Sequence, residues 1–275
     1  MMKMQALASG SNGNAIYIGD GDCHILVDAG ISCKRIRDGL KLLGVDPGDL
    51  SAVLITHEHS DHIQGLKVLS KKYHVPVCGT RKTLEYIAMN DHDHEIDMSL
   101  YHPVEAGKTF EAGNFRILPV STFHDAADPV CYRIENSRQA FAVVTDTGMV
   151  SEEMILKMQE LDGILLEANH DIRMLEAGSY PFPLKRRILG DYGHLSNERA
   201  GLFLTQILSK RLKFCLLGHL SEENNYPELA LMAVKNEIDL SDIPFRSEDF
   251  RIDVATRYEA SAVYTVTEDE AGRGE

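Results

Sequence analysis

Short apolar runs that end in polar residues recur along the chain. Residues 52–55 form such a run directly before a histidine-rich segment, and residues 140–144 and 163–167 are of the same kind. Apolar runs of four to eight residues bounded by polar or turn residues are typical of buried β-strands. On this basis we predict strands at residues 3–8, 15–18, 23–28, 52–55, 75–78, 109–111, 115–120, 130–135, 140–144, 163–167, 213–218, 250–255 and 262–266.

Between the strands, apolar residues spaced three or four apart predict amphipathic helices. Ser196 or Asn197 caps the strongest apolar stripe, which consists of Ala200, Phe203, Leu204, Ile207 and Leu208. Further helices are predicted at residues 32–43, 63–72, 80–89, 151–161 and 226–237. Two β-rich halves without a glycine- or proline-rich linker predict one domain of two packed sheets with helices outside. We place this domain at residues 1–267 and expect residues 268–275 to form a disordered acidic tail.

Composition narrows the class of protein. The 275 residues are 44% hydrophobic, which is enough for one large core. No apolar run approaches the ~18 residues of a membrane span, and the first residues lack the features of a signal peptide. The five cysteines are scattered without a C-x-x-C pair, which indicates free buried thiols in a reducing compartment. We therefore expect a cytoplasmic protein.

The net charge of −14 at pH 7 argues against a protein that coats nucleic acid. It leaves a phosphodiester substrate open, because part of the negative charge can belong to metal ligands that bound cations would offset. Any contact with nucleic acid is therefore expected in a confined patch.

The segment T-H-E-H-S-D-H at residues 56–62 follows one of the predicted buried strands. It carries four side chains that bind metal ions, namely His57, His59, Asp61 and His62. Imidazole and carboxylate groups suit zinc and also manganese or iron. Four ligands so close together on an extended loop cannot all surround one ion, so the spacing predicts two ions, one for the two leading histidines and one for Asp61 and His62. A polar surface loop with chance histidines is the alternative, and it leaves the adjoining buried strand unexplained.

Single polar side chains follow other predicted strands. His124 and Asp146 lie after two of them, and His219 repeats the pattern of a strand followed by a histidine. Asp28 ends another strand, where a carboxylate either fixes the tautomer of a neighbouring histidine or caps the next helix. Residues 90–95 (N-D-H-D-H-E) look like a second metal cluster, but they follow a helix and precede no clear strand, so we interpret them as a solvated loop.

Candidate substrate contacts lie outside these clusters. In the small-residue turn S-G-S-N-G-N, Asn12 and Asn14 can contact a phosphate, although a plain hairpin turn explains the segment equally well. His194 lies just before the N-terminus of the strongest helix, where anions are favoured. A compact basic run with a preceding tyrosine either contacts a phosphate backbone or forms a solvated face. It comprises Tyr180, Lys185, Arg186 and Arg187.

The H-x-H-x-D-H segment followed in order by His124, Asp146 and His219 resembles the metallo-β-lactamase fold superfamily. The resemblance extends to about Val266. It implies an α/β (α+β) fold, a four-layer αββα sandwich with a dinuclear metal site along the sheet edges. The histidine at position 59, where the di-iron redox branch has glutamate, favours hydrolysis.

The resemblance implies a role for each candidate ligand. The first ion would be held by His57, His59 and His124. The second would be held by Asp61, His62 and His219. Asp146 would bridge both ions, and Asp28 would support a ligand from behind. The implied cofactors are two divalent metal ions, zinc or manganese, with iron as a further option.

Two further features are similar to ribonuclease Z-type phosphodiesterases. His124 precedes a strand with Cys131-Tyr132-Arg133, where cysteine replaces the family's glycine, and the segment G-H-L-S at residues 193–196 opens a helix. Closer similarity is to the YycJ (WalJ) family, bacterial 5′→3′ exodeoxyribonucleases linked to mismatch repair. It lies in residues 7–14, 56–62, 166–171 and 193–197. The chain is too short for the large β-CASP insert of the RNase J branch.

The implied activity is metal-dependent phosphodiester hydrolysis, with DNA as the expected substrate. A water or hydroxide shared by two ions, its pKa lowered by them, would attack phosphorus. Asp61 would be a ligand and orient this nucleophile, and His194 would protonate the leaving 3′ oxygen. Further supporting or substrate-contacting candidates, by position alone, are Glu167, Asn169 and His170.

Other functions stay open from the residues alone. The same fold can serve an RNA hydrolase or a hydrolase of small phosphodiesters and esters. A non-catalytic, metal-stabilised binding module is a further alternative, which the loss of a ligand position would favour, and none is lost. No membrane partner is expected, and the residues predict no particular protein partner.

Overall fold

The computed structural model describes residues 1–91 and 97–267, and two seven-stranded sheets dominate this part of the chain. The first sheet contains β1 (Met2–Ala8), β2 (Ala15–Asp20), β3 (Cys23–Val27), β4 (Leu50–Leu54), β5 (Val77–Thr80) and β6 (Tyr101–Val104). The second contains β7 (Phe110–Ala112), β8 (Phe115–Ser121), β9 (Val130–Glu135), β10 (Ala140–Val144), β11 (Gly163–Glu167), β12 (Phe214–Gly218) and β13 (Arg251–Val254). The last strand, β14 (Tyr264–Thr265), returns to the first sheet beside β1.

The two sheets follow the same plan. In the first, β1 to β3 pair antiparallel and β3 to β6 pair parallel. In the second, β7 to β10 pair antiparallel and β10 to β13 pair parallel. The carboxyl ends of β3 and β4 therefore share one edge of their sheet, and those of β8, β10, β11 and β12 share one edge of the other. Ligands of α/β proteins bind at such edges.

Helices cover the outer faces of both sheets. They are α1 (Cys33–Leu42), α2 (Ser60–Ile63), α3 (Leu66–Tyr73), α4 (Arg81–Met89), α5 (Glu152–Lys157), α6 (Ile172–Ala177), α7 (Phe182–Leu189), α8 (Asn197–Ile207) and α9 (Pro227–Leu240). α1, α3 and α4 share a buried apolar cluster with the first sheet, and α5, α8 and α9 share one with the second. Between the sheets, side chains such as Met4, Ile25, Phe141 and Leu165 form the central core. The predicted four-layer αββα sandwich is confirmed.

The predicted helix at residues 63–72 is wrong in one respect, because it is interrupted at Gly65. The Gly65 amide donates to the Ala29 carbonyl at 2.7 Å, and a Cβ on Gly65 would lie 2.1 Å from the Ile31 carbonyl oxygen. The loop after β3 therefore packs directly on the backbone at this point. The helix splits into α2, which carries Asp61 and His62, and α3.

The sequence pattern missed β6, α6 and α7, and it placed the helix at 151–161 too long, since α5 ends at Lys157. The solvated loop predicted at residues 90–95 and the tail predicted at 268–275 fall almost wholly outside the described residues. Over the described ranges, none of the helices combines the length and apolarity needed to cross a bilayer.

Candidate metal centre

The seven predicted metal ligands converge between the carboxyl edges of the two sheets. Their donor atoms form overlapping groups in which all atoms lie within 4.8 Å of one another. The groups are His57, His59 and His124; Asp61, His62 and His219; His57, His62 and Asp146; and Asp146, Glu167, His194 and His219. The first two groups are the two ligand sets inferred for two ions, and Asp146 belongs to groups on both sides.

Three residues of the site have an unusual backbone conformation. Asp28 directly follows β3, His219 directly follows β12, and Asp146 lies two residues after the end of β10. Their φ angles are 61° for Asp28, 56° for Asp146 and 55° for His219. A positive φ is uncommon outside glycine and costs of order 1–3 kcal/mol per residue. Only two other non-glycine residues in the described ranges, His74 and Glu160, have it. Strain of this kind concentrates where a site requires a particular side-chain direction, and here it coincides with the ligand cluster.

Asp28 fixes the orientation of His62. Its Oδ2 lies 2.8 Å from Nδ1 of His62, and the Thr56 amide and hydroxyl both donate to its carboxylate at 2.8 Å. With Nδ1–H donated to Asp28, Nε2 of His62 is left as an acceptor. That atom lies 3.2 Å from Oδ2 of Asp146 and 3.4 Å from Oδ2 of Asp61. Asp28 therefore holds a neighbouring imidazole, the first of the two roles open to it from the sequence.

Glu167 holds two imidazoles with one carboxylate oxygen. Its Oε1 lies 2.7 Å from Nδ1 of His194 and 3.0 Å from Nδ1 of His219, whose rings stack at 5.4 Å. His124 is held in a similar way, since its Nδ1 lies 3.0 Å from the Gly193 carbonyl. In His219 and His124 the Nε2 atom is left to face the ligand cluster, 3.4 Å from Oδ2 of Asp61 and 3.3 Å from Nδ1 of His59 respectively, which is the arrangement that orients imidazole ligands in metal centres.

The environment of His57 fits a bound cation. Its Nε2 is buried and meets no hydrogen-bond partner among the described residues, whereas its Nδ1 lies 3.1 Å from the Thr56 hydroxyl. A buried polar atom without a partner costs about 1–3 kcal/mol, so native structures rarely leave one. A metal ion would satisfy this nitrogen. A donor set of imidazole nitrogens and carboxylate oxygens without thiolates fits zinc, manganese or iron.

The electrostatics of the site favour a bound cation. Burial would lower the pKa of His219, but the charge of Asp146 and hydrogen bonds to Asp61 and Glu167 raise that pKa to about 10. Burial likewise opposes a charged His62, but Asp146 and Asp28 raise its pKa well above the usual value. In Glu167, burial is outweighed by the charge and hydrogen bond of His194, which lower the pKa of its carboxyl to about 2. The carboxylates thus hold protons on the imidazoles that a metal ion would displace.

Two predicted substrate contacts are corrected by their burial. Asn14 is 1% exposed, and its side-chain amide donates to the carbonyls of Gly10 and Asp61 at 3.1 and 3.4 Å. Asn169 is 4% exposed and donates to the His219 carbonyl at 3.0 Å. Both side chains therefore contact the backbone of candidate ligands, and Nδ2 of Asn14 also lies 3.2 Å from Nε2 of His62, so little of either side chain is open to a substrate.

The residues of the predicted basic run have different surroundings in the structure. The Lys185 ammonium donates to the carbonyls of Glu176 and Gly178 at 2.8 and 2.7 Å, which places it at the end of α6. Arg186 is exposed, with its guanidinium 6.0 Å from the Phe182 ring. Tyr180 is half-buried just before α7.

Arg187 is the member of this run that reaches the metal centre. Its guanidinium donates two hydrogen bonds to the Asp125 carboxylate, one at 2.8 Å. Oδ1 of Asp125 in turn lies 3.4 Å from Nε2 of His124. The ion pair therefore stands at the edge of the ligand cluster.

Of the other candidates, Asn12 is exposed and His170 is buried. Asn12 is exposed and donates to Oε2 of Glu222 at 2.8 Å. His170 is 1% exposed, and its Nδ1 lies 3.3 Å from Oδ1 of Asn169. It lines a small cavity of about 50 Å³ with His194.

Sequence reasoning missed three residues that position the ligands. Thr56 contacts Asp28 and both neighbouring histidines, and its place directly before the metal segment is the signal that was available. Ser9 accepts a hydrogen bond from the His219 amide at 2.9 Å. Asp125 pairs with Arg187. The last two contacts join segments far apart in the chain, so the sequence carries no local sign of them.

Comparison with known proteins places this arrangement in a family. Residues 24–215 match the β-lactamase superfamily domain. The exodeoxyribonuclease WalJ of Streptococcus pneumoniae is 42% identical over 258 residues, which cover 92% of this chain and 96% of that protein. The exodeoxyribonuclease YycJ of Bacillus anthracis is 39% identical over 241 residues, covering 86% and 89% of the two chains.

A solved structure shows the same fold. The metallo-β-lactamase fold protein YhfI from Bacillus subtilis superimposes with a TM-score of 0.70 at 18% identity, over 96% of this chain and all of that one. The fold, the matched domain and the relatives agree with the resemblance drawn from the motifs. The chain is therefore an enzyme of the metallo-β-lactamase fold superfamily and belongs, within it, to the family of the exodeoxyribonucleases WalJ and YycJ.

Proposed function

We propose that the protein is a metal-dependent phosphodiesterase that degrades DNA as a 5′→3′ exonuclease. The observation that carries the proposal is the convergence of seven potential ligands with His194 beside them, held by Glu167. The 42% identity to an exodeoxyribonuclease over nearly its whole length favours DNA over RNA and small esters.

The residues divide into two metal-binding sets. One ion would lie among His57, His59 and His124, and the other among Asp61, His62 and His219, with Asp146 between them. Bound divalent cations would supply Lewis acidity, which makes water more acidic and offsets the charge of the phosphate. The donor set favours zinc or manganese, with iron as a further option.

Asp61 is the carboxylate best placed to orient the attacking water. Its side chain is 23% exposed, whereas those of Asp146, His62 and His219 are at most 3% exposed. Oδ2 of Asp61 lies 3.4 Å from Nε2 of both His62 and His219, so this oxygen faces the second ligand set. Its outer lone pairs can accept a proton from water that approaches from the open side.

His194 is the proposed proton donor to the leaving 3′ oxygen. Its Nδ1 is bound to Glu167 at 2.7 Å, its side chain is 14% exposed, and its ring centroid lies 5.0 Å from that of His124. The imidazole therefore lies beside the ligand cluster and is partly open to solvent. The N-terminus of α8, three residues further on, attracts phosphate.

The proposed setting is the cytoplasm, with mismatch repair as the process that the resemblance implies. All five cysteines are buried and unpaired, which agrees with a reducing compartment. These two assignments go beyond the catalytic site and do not affect the reaction proposed for it.

Labelled DNA tests the proposal. Metal-free protein is reconstituted separately with zinc and with manganese and mixed with duplex DNA labelled at the 5′ or the 3′ end. We expect early release of labelled mononucleotide from the 5′ end only, and no release with the Asp61→Ala variant. DNA that stays intact with both metals would overturn the exonuclease proposal and direct attention to RNA or small esters as substrates.

A further inference from the structure

A cavity of about 520 Å³, called the side pocket below, opens beside the metal centre. It is lined by Ser9, by residues of the β12–α9 loop and by residues 254–259 after β13. Ser9 accepts the hydrogen bond of the His219 amide at 2.9 Å, and Ser221, also in the lining, is two residues beyond His219. The side pocket therefore begins at the edge of the second ligand set.

Two tyrosines present uncovered rings in this pocket. Tyr226 and Tyr258 both line it, and each is 61% exposed. Exposed aromatic rings that line a cavity beside a candidate active site are suited to ligand contacts, because ligand pockets are lined mainly by apolar and aromatic side chains. An aromatic ring near a phosphodiester site is the side chain on which nucleobases stack.

The backbones of both tyrosines are held in place. The Tyr226 amide donates to Oδ1 of Asn225 at 3.0 Å, and the side-chain amide of Asn225 donates to two carbonyls, at Ala168 and Asn169. The Tyr258 carbonyl accepts a hydrogen bond from Arg35 at 3.0 Å. Rigid backbones with open rings form a pre-organised surface, which lowers the entropy lost when a ligand binds.

The polar groups of the pocket favour an uncharged ligand with amino groups. Glu222 accepts hydrogen bonds from Asn12 at 2.8 Å and from the Tyr258 hydroxyl at 3.1 Å, and Glu259 adds a second carboxylate to the lining. The Arg257 guanidinium donates to the Leu220 carbonyl at 2.7 Å. Two carboxylates against one engaged cation repel a phosphate group, whereas the edge of a nucleobase can donate to a carboxylate.

We propose that the side pocket binds the nucleobase of a nucleotide that flanks the scissile phosphate, by stacking on Tyr226 and Tyr258. This inference rests on the proposed DNA hydrolysis, because the metal centre fixes where the phosphate lies. A base in the pocket cannot remain paired in a duplex. The enzyme therefore acts on an unpaired terminal nucleotide, and a frayed or single-stranded 5′ end is a better substrate than a blunt one.

The test compares ring-removing variants on matched substrates. Tyr226→Ala, Tyr258→Ala and the double variant are assayed on single-stranded DNA with normal bases, and on DNA with an abasic residue at the first or second position. Tyr86→Ala, which removes a 49% exposed tyrosine on α4 outside the pocket, is the matched control. Tyr258→Phe keeps the ring and removes the hydroxyl.

Loss of stacking should raise KM about 5- to 100-fold for DNA with normal bases. The same variants should match the wild type on DNA that is abasic at the position read by the pocket, and Tyr258→Phe should restore most of the affinity. Equal KM values for wild type and double variant on normal DNA would overturn the inference, as would equal losses on normal and abasic DNA at both positions.

A binding measurement separates this inference from the proposed function. Oligonucleotides with 2-aminopurine at the first or second position and non-hydrolysable linkages are mixed with metal-loaded wild-type protein, and stacking is followed as fluorescence quenching. Quenching that disappears in the double variant supports the pocket even if no cleavage occurs with any metal. Cleavage by the wild type without quenching at either position overturns the pocket and leaves the nuclease proposal standing. A protein that neither binds nor cleaves DNA overturns both.

Discussion

At the scale of single residues, the site depends on carboxylates that hold imidazoles. Asp28 holds His62, and Glu167 holds His194 and His219. The motif at residues 56–62 indicated four candidate ligands because they lie close together in sequence, whereas His124, Asp146 and His219 were assigned from their places after strands and from the resemblance. The sequence placed Asp28 and Glu167 beside the site only by position, since hydrogen bonds between distant segments leave no trace in a single sequence.

Replacing Asp28 with asparagine should weaken metal binding. Asp28→Asn removes the negative charge that orients Nδ1–H of His62, and loss of such a partner usually costs 10- to 100-fold in metal affinity, as an order of magnitude. Competition with a chromophoric chelator measures the dissociation constants. Asp38→Asn, which alters an exposed aspartate paired with Arg37, is the control and should bind metal as the wild type does. Equal affinities for both variants would contradict the role of Asp28.

Removing the proposed proton donor should slow the reaction without loss of metal. His194→Ala is expected to lower kcat by roughly 10²- to 10⁴-fold, the range typical of a general acid, with metal content unchanged. A substrate with a p-nitrophenolate leaving group needs no proton and should lose much less. Equal losses on both substrates would assign His194 to positioning only.

Metal uptake should release protons. Burial would lower the pKa of His219, but the charge of Asp146 and the hydrogen bonds of His219 to Asp61 and Glu167 outweigh it and raise this pKa to about 10. The pKa of His62 is also raised. Both imidazoles therefore carry protons at neutral pH without metal, and ligation must displace them, so metal affinity rises with pH up to about 10. Titration calorimetry in buffers of different ionisation enthalpy measures the release. Identical binding enthalpies in all buffers would show that no proton leaves.

At the scale of elements, apolar runs predicted the strands well where both faces are buried. The predicted bounds of β9, β10 and β11 coincide with the observed ones, and almost every residue of β10 and β11 is buried. β6 was missed because it lies at the edge of its sheet, contains Pro103 and exposes two of its four residues. α7 was missed because its prolines at 181 and 183 interrupt the apolar pattern, although proline is tolerated in a first turn.

The break between α2 and α3 positions Asp61 and His62, and it depends on Gly65. A Cβ added there would meet the Ile31 carbonyl oxygen at 2.1 Å, a backbone atom that cannot move without shifting the loop after β3. Gly65→Ala should therefore destabilise the fold by about 2 kcal/mol or more and also weaken metal binding. Urea unfolding and chelator competition measure the two effects.

Gly48→Ala is the matched control for this variant. Its nearest neighbour would be a carboxylate oxygen of Asp46 at 3.2 Å, in an exposed turn that can adjust. We expect Gly48→Ala to lower the free energy of unfolding by less than Gly65→Ala does and to leave the metal affinity unchanged. A Gly65→Ala protein as stable as the wild type, with unchanged metal binding, would show that the two helices are not separated for this reason.

At the scale of the whole molecule, the metal centre joins the two halves of the sandwich. Asp28 and the segment at residues 56–62 come from the first sheet, whereas His124, Asp146 and His219 come from the second. The two β-rich halves of the sequence predicted one domain of two packed sheets with helices outside, and the resemblance to a known family implied the four-layer αββα class. The side pocket was not predicted, because three segments distant in sequence build it.

The central claim is that bound metal in this site cleaves DNA, and activity against metal content tests it most directly. Metal-free protein is loaded with zinc or manganese in steps, the ions per chain are measured by mass spectrometry, and release of the 5′-terminal nucleotide is timed at each step. We expect no cleavage without metal and a rate that rises until two ions are bound per chain. Cleavage that persists in fully metal-free protein, or a protein loaded with two ions that leaves DNA intact, would contradict the claim.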